Sequence, residues 1–245
     1  MKVIGSYVSP YVRKVLACLE LKGLAYAIDP ITPFFGNDEF TALSPLRRIP
    51  VLIDGDVVLS DSSVIAAYID ESYPTPPLLP DAPADRARAR WFEEYADTRL
   101  GDVFIWGLFY PRFVAPIVFG EPVDEARIER TLSHDAPREL DYLERELPAD
   151  GYIAGGFGLA DIAIASFFRN AFHVGFEIDA GRWSRTADYV TRALAQPVFE
   201  KLLQFEKIQL GTSIAGRRQA LIDAGARLTD ETLGERTPRK GIMPL

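Results

Sequence analysis

Cysteine is nearly missing from this chain: Cys18 is the one thiol in 245 residues. One cysteine makes no internal disulfide, so the fold is expected to stand on its apolar core. Histidine is almost as scarce. His134 and His173 lie far apart with no Cys, Asp or Glu at ligand spacing, so no metal site is expected. Basic charge is in deficit: 27 Lys and Arg against 35 Asp and Glu leave a net charge of −8. That argues against a nucleic-acid partner, because neutralising phosphates takes clustered cations. No apolar run is expected to approach the roughly 18 residues of a membrane span. The N-terminus enters a strand directly, without the basic, apolar and cleavage regions of a signal peptide. A cytoplasmic protein with no membrane partner is the expectation. What is present is ordinary for a globular chain, 48% apolar and 25% charged, and long enough for two domains with real cores.

Along the chain, Lys2–Gly5 reads as a strand and Tyr11–Gly23 as a helix with Val12, Val15, Leu16 and Leu19 on one face. A strand over Leu24–Ile28 and a short helix near Asp38–Leu43 follow. Pro50–Ile53 and Val57–Leu59 flank the turn Asp54-Gly55-Asp56 as a hairpin, and Ser62–Ser72 has helical spacing. The order βαβαββα predicts a small mixed sheet with helices on its faces over residues 1–75. Tyr73–Pro83 holds five prolines, and a linker is expected over 76–84. Residues 85–210 show no strand alternation and predict an all-α domain. Its long helix, Asp85–Tyr110, is expected to end or kink at Pro111 and Pro116. A second runs over Asp124–Leu147, and the almost wholly apolar Leu159–Val174 is expected as a central buried helix. Thr186–Ala195 and Pro197–Leu210 give two shorter ones. Residues 211–245 are expected as an extension, partly disordered over Thr229–Leu245.

Three pieces of the first domain can carry chemistry. At Ser9-Pro10 a strand passes into a helix: the serine can cap the helix and also donate to a ligand at its N-terminus. Pro50 opens a strand although proline cannot join a ladder, so it marks an edge or bend. A cis Ile49–Pro50 bond would turn the Ile49 backbone toward a ligand. Asp61-Ser62 begins a helix, where the pair can cap it or face a ligand that carries both an ammonium and a carboxylate. Gly155-Gly156-Phe157-Gly158 is no dinucleotide fingerprint, since it does not follow a strand in a βαβ unit. Cys18, among Val15, Leu16 and Leu19, reads as a buried structural thiol. Arg13 reads mainly as one half of an ion pair.

The runs Ser9-Pro10-Tyr11-Val12-Arg13-Lys14-Val15, Arg48-Ile49-Pro50-Val51-Leu52 and Leu59-Ser60-Asp61-Ser62 resemble the N-terminal domain of cytosolic glutathione transferases, in their serine-type, bacterial-like form. Tyr152-Ile153-Ala154-Gly155-Gly156 through Leu159-Ala160-Asp161-Ile162-Ala163 resembles the start of that family's buried helix, and the likeness covers about residues 1–210. The resemblance implies a thioredoxin-like domain, a helical C-terminal domain, a homodimer and a role in detoxification. It implies that Ser9 donates to the glutathione sulfur, with Tyr7 as the rival. Ile49, before a cis-Pro50, would pair its backbone with the cysteinyl part. Asp61 and Ser62 would hold the γ-glutamyl end, and Arg48 or its neighbour Arg47 the glycyl carboxylate. Trp106, Phe109, Tyr110 and Phe113 read mostly as core, yet in this fold the same region walls the pocket of the second substrate.

The implied reaction is attack of the glutathione thiolate on an electrophilic, apolar second substrate. The alternatives are glutathione-dependent peroxidase, lyase or isomerase chemistry, or a non-catalytic scaffold. Serine where mixed-disulfide reductases of the family carry cysteine disfavours disulfide exchange. One departure stands out: the family has Ser or Thr three residues before the aspartate of the buried helix, and this chain has Gly158 before Asp161.

Overall fold

The computed structural model describes residues 1–240. The chain divides into two compact units, one made of Met1–Pro76 and the chain from Pro197 onward, the other of Pro77–Gln196. The first begins with β1 (Lys2–Ile4), α1 (Pro10–Leu21), β2 (Ala27–Asp29), α2 (Asp38–Leu43), β3 (Val51–Asp54), β4 (Val57–Ser60) and α3 (Ser62–Ser72). The sheet order is β2-β1-β3-β4, with β1 parallel to β2 and antiparallel to β3. A parallel pair needs a crossover, and α1 supplies it. Val12, Val15, Leu16 and Leu19 of α1 are buried, so that helix buries the face its spacing marks; of the α3 spacing Val64, Ile65, Tyr68 and Ile69, only Ile65 and Ile69 are buried, and Val64 is exposed. β2 starts three residues later than the spacing predicts. Leu24 N donates to Leu19 O (2.9 Å) around Gly23 at φ +65°, so those residues close α1 instead of opening a strand.

In the second unit, α4 (Pro83–Tyr95), a more widely wound stretch Ala96–Val114 and α5 (Ala115–Phe119) form one helix of 37 residues. Of the two outcomes expected at Pro111 and Pro116, the helix does not end: it continues through both. The wide turns bond five residues back, as from Ala115 N to Tyr110 O, which absorbs the lost donor and gives the rings room. A window of this helix has mean hydropathy 1.4, so by length and composition it is fit to cross a membrane. In the fold it is a core helix: Leu100, Phe104 and Leu108 are buried, and Phe104 meets Phe168 of α8 (Leu159–His173) with ring centroids 4.8 Å apart. α6 (Glu125–Arg130), the wide turn Thr131–Asp135 and α7 (Ala136–Glu146) continue one another, and α9 (Ser184–Leu194) completes the unit.

The residues expected as a linker are not loose. Leu78 is buried, and its carbonyl accepts from Leu159 N (3.0 Å) at the start of α8. The same carbonyl lies 2.6 Å from where a Cβ on Gly158 would sit, which accounts for glycine where the resemblance implies Ser or Thr. The cap is instead made by Asp161, whose carboxylate accepts from Gly158 N (2.9 Å), Ile153 N (3.1 Å) and the Tyr189 hydroxyl.

Two further features concern the C-terminal part. α10 (Pro197–Gly211), expected in the helical domain, belongs to the first unit. Buried Arg13 of α1 pairs with buried Glu206 (2.8 Å), and Gln209 accepts from Tyr7 N (2.8 Å) and donates to Pro30 O (2.9 Å). The extension also folds against that unit. α11 (Ile214–Asp223) is followed by a segment that bridges β2 in parallel at Ile28–Leu228 and the loop before α2 at Gly36–Gly234. The part of the extension expected to be disordered lies within described residues up to 240; residues 241–245 lie outside them.

Candidate functional site

The strand register gathers three of the sequence motifs at one end of the sheet. Ile4 pairs with Val51, and Val51 pairs with Ser60. The end of β1, the start of β3 and the end of β4 are therefore neighbours. Gly5, Pro50 and Asp61, the residues one step beyond them, emerge together, and β1 leads through Gly5 to Ser9. A Cβ on Gly5, at φ +151°, would lie 2.5 Å from Val12 Cγ2 and 3.2 Å from Ile49 Cβ. Glycine thus lets α1 and Ile49 close around the strand end. Its sequence signal was only a glycine ending a strand, which turn chemistry alone would explain.

Ser9 caps α1. Its backbone is extended and its Oγ accepts from Val12 N at 3.4 Å, a long bond that leaves the oxygen loosely held. Among the described residues the hydroxyl proton is donated to no partner, and the side chain is half-buried at the positive end of the helix dipole. Tyr7, the rival, is 2% exposed. Its ring stacks on Phe205 of α10 at 5.0 Å, and burial together with Glu20 pushes its hydroxyl well above the ordinary tyrosine range. A phenol so placed is not a ready proton source.

The Ile49–Pro50 peptide is cis, and the ladder of β3 begins at Val51, so the Ile49 backbone stands outside it. Arg47 and Arg48, which the sequence left nearly equivalent, part company in the structure. Arg47 is buried at φ +50°, and its guanidinium donates to Pro33 O (3.1 Å), Gly36 O (2.8 Å) and Thr41 Oγ1. Arg48 has an exposed side chain. Its backbone is clamped by Ser44, whose hydroxyl accepts from Arg48 N (3.0 Å) and donates to Arg48 O (2.9 Å).

Asp61 is exposed and held at φ +87°, a conformation that costs a non-glycine residue on the order of 1–3 kcal/mol and clusters at ligand sites. Its Oδ1 caps α3 by accepting from Ser63 N (2.9 Å) and Val64 N (3.2 Å), while Ser62 is buried. Lys14, buried in α1, donates to Ser63 Oγ (3.1 Å) and so ties the Ser9 helix to the first turn of α3. Sequence reasoning passed over this residue, whose one signal was a lysine on the apolar side of a helix. Cys18 is fully buried in α1.

Trp106, Phe109, Tyr110 and Phe113 lie in the second unit, on the wide part of its long helix. Phe109 and Tyr110 are buried, whereas Trp106 and Phe113 are half-buried. They pair as Trp106–Tyr110 (5.4 Å) and Phe109–Phe113 (5.2 Å), which is core packing with two partly open edges.

Comparison with known proteins decides the family. The model of the glutathione S-transferase N-terminal domain matches residues 3–77. A probable glutathione S-transferase of Glycine max is 31% identical over 167 residues, covering 66% of this chain and 68% of that protein. The chain belongs to the glutathione S-transferase family. Glutathione S-transferase U3 of Arabidopsis thaliana is 32% identical over 108 residues, 41% of this chain, and the chain spans only 45% of that relative's length. Among solved structures, a theta class glutathione S-transferase from the citrus canker pathogen Xanthomonas axonopodis pv. citri, with glutathione bound, is 28% identical with a TM-score of 0.69. That match covers 87% of this chain and 98% of the other. In this glutathione S-transferase family member, the four-stranded sheet with its helices is the thioredoxin-like N-terminal domain, and the C-terminal part is helical.

Proposed function

We propose that this chain is a glutathione transferase that activates the glutathione thiol at the sheet end of its first unit for attack on an electrophilic, apolar second substrate. The observation that carries the reading is the Ser9 hydroxyl: loosely held, half-buried, at the N-terminus of α1, with its proton undonated. A free thiol titrates near 8.5, and only the thiolate is a good nucleophile. A hydroxyl donor and a helix N-terminus both favour the anion, and lowering the pKa by about two units takes roughly 2.7 kcal/mol. Ser9 keeps its own proton and acts as a donor; the thiol proton leaves to solvent. The thiolate then forms the C–S bond as the leaving group departs with its electron pair.

The remaining roles follow from chemistry. The Ile49 backbone, outside the ladder, suits an extended peptide such as the cysteinyl portion. Asp61 and Ser62 suit the charged γ-glutamyl end, the Asp61 carboxylate taking the ammonium and Ser62, at the positive end of the α3 dipole, the carboxylate. Arg48 suits the glycyl carboxylate, since Arg47 is already committed to backbone carbonyls. Trp106 and Phe113, the half-buried aromatics, are the candidates for touching an apolar electrophile. A homodimer, a cytoplasmic location and a role in detoxification go with this reading as family expectations.

Calorimetric titration with glutathione, followed by an assay of conjugation to a generic aryl halide, tests it. Binding below millimolar concentration with turnover is expected. No binding at millimolar glutathione contradicts the enzyme reading, and turnover of a hydroperoxide in place of the aryl halide reassigns the reaction.

A further inference from the structure

The segment after α11 is bonded to more than the sheet edge. Ile28 N donates to Arg227 O (2.9 Å) and Thr229 N to Ile28 O (3.1 Å), which extends the sheet past β2. Buried Asp29 then accepts from the Thr232 hydroxyl (2.8 Å) and from Leu233 N (2.6 Å). Beyond it the segment grips the loop before α2. Asn37 N donates to Leu233 O (2.8 Å), Glu235 N to Phe35 O (2.7 Å) and Arg239 N to Phe34 O (2.7 Å). The Arg239 guanidinium pairs with Asp38 at 2.6 Å.

That loop supplies the Pro33 and Gly36 carbonyls that hold Arg47. Arg47 N donates to Ser44 O (2.7 Å), and Ser44 Oγ bonds both backbone groups of Arg48. A continuous run of hydrogen bonds therefore leads from the C-terminal segment to the residue before Ile49. Simple protection of the β2 edge, the plainer role for such a strap, needs the bonds at Ile28 but not those at Phe34, Phe35 and Asn37.

We propose that residues 226–239 form a positioning strap that sets the backbone of Arg48 and Ile49 and thereby the affinity for the glycyl and cysteinyl portions of glutathione. The inference rests on the glutathione reading above. It predicts a split: loosening the strap weakens capture of glutathione but leaves the step governed by Ser9 intact, because among the described residues no bond of the strap reaches α1.

The test is the full chain carrying Thr232→Val and Arg239→Ala, both exposed positions outside the binding machinery, beside Arg239→Lys alone. Glutathione affinity by calorimetry, KM and kcat, and hydrogen exchange at the Asn37 amide are measured. The double variant is expected to bind glutathione about tenfold more weakly with kcat within about twofold and faster Asn37 exchange, while Arg239→Lys, which keeps the pair with Asp38, stays near wild type. Unchanged affinity in the double variant, or a fall in kcat equal to the rise in KM, overturns the strap. A wild type that does not bind glutathione overturns the functional reading instead. In that case the exchange data still judge the strap's hold on the loop, and unchanged Asn37 exchange rejects it.

Discussion

At Ser9 one oxygen serves two masters. It accepts from the helix, at 3.4 Å, and its proton remains available for donation. Asp61 has the same double character: Oδ1 caps α3 while the residue is held exposed at φ +87°. Capping chemistry and ligand chemistry ask for the same residue types at helix starts, which is why the sequence alone could not separate them. Arg47 and Arg48 were equally illegible, since what separates them is a set of carbonyls at Pro33 and Gly36 supplied by a distant loop. Gly158 is the converse case, a visible departure from a pattern whose reason lay elsewhere. Serine caps a helix better than glycine by a few tenths of a kcal/mol. At this position, however, any Cβ falls 2.6 Å from the Leu78 carbonyl, and overpacking of that kind costs about 1–3 kcal/mol. Gly158→Ser is therefore expected to lower stability by about 1–2 kcal/mol in denaturant titration. A variant as stable as wild type would show that the linker carbonyl can give way.

At the scale of elements, what was legible was local. Ser62–Ser72 and Asp38–Leu43 have the bounds their caps and spacing predict, because Asp61 and Asn37 each close a helix start through their own side chains. The continuation of the long helix through Pro111 was not legible, since widening of the turns depends on packing that a single window of sequence does not carry. One contact between elements has a clear pH signature. Glu139 of α7 is buried, which alone would raise its carboxyl. Hydrogen bonds from Tyr95 (2.6 Å), Arg99 (2.7 Å) and Arg138 (2.7 Å) outweigh that and hold it below the ordinary glutamate range. A depressed carboxyl stabilises the fold fully above its unfolded pKa, about 4.3, and loses that contribution as pH falls through the folded value. Glu139→Gln should thus be destabilised by about 1–3 kcal/mol near pH 7, and the gap to wild type should shrink below about pH 4.3. A gap that stays constant down to pH 3 would contradict the assignment.

For the whole molecule, the division of the chain is the main thing the sequence concealed. Composition suggested that everything past the prolines was one helical domain with a loose end. Yet α10 is bound to the first unit by a buried Arg13–Glu206 pair, and the segment after α11 by backbone bonds to β2 and the loop before α2. Neither is readable locally. Glu206 sits in an ordinary helical pattern, and backbone pairing at Ile28 or Phe35 leaves no mark on residue type. A buried pair of this sort is costly to break singly, about 3–5 kcal/mol, so α10 is held to α1 firmly wherever the sheet end is intact. The motifs at Ser9, Ile49-Pro50 and Asp61-Ser62 were legible because each carries its own local chemistry. Their convergence needed the register Ile4–Val51–Ser60.

If Ser9 stabilises a bound thiolate, the pH dependence of the thiolate absorbance of glutathione bound to wild type and to Ser9→Ala shows it. A bound-thiol pKa about two units below that of free thiol is expected in wild type, and a return toward about 8.5 in Ser9→Ala, with glutathione still bound. An equally depressed pKa in both proteins would contradict it and move the role to the backbone N–H groups of the helix start.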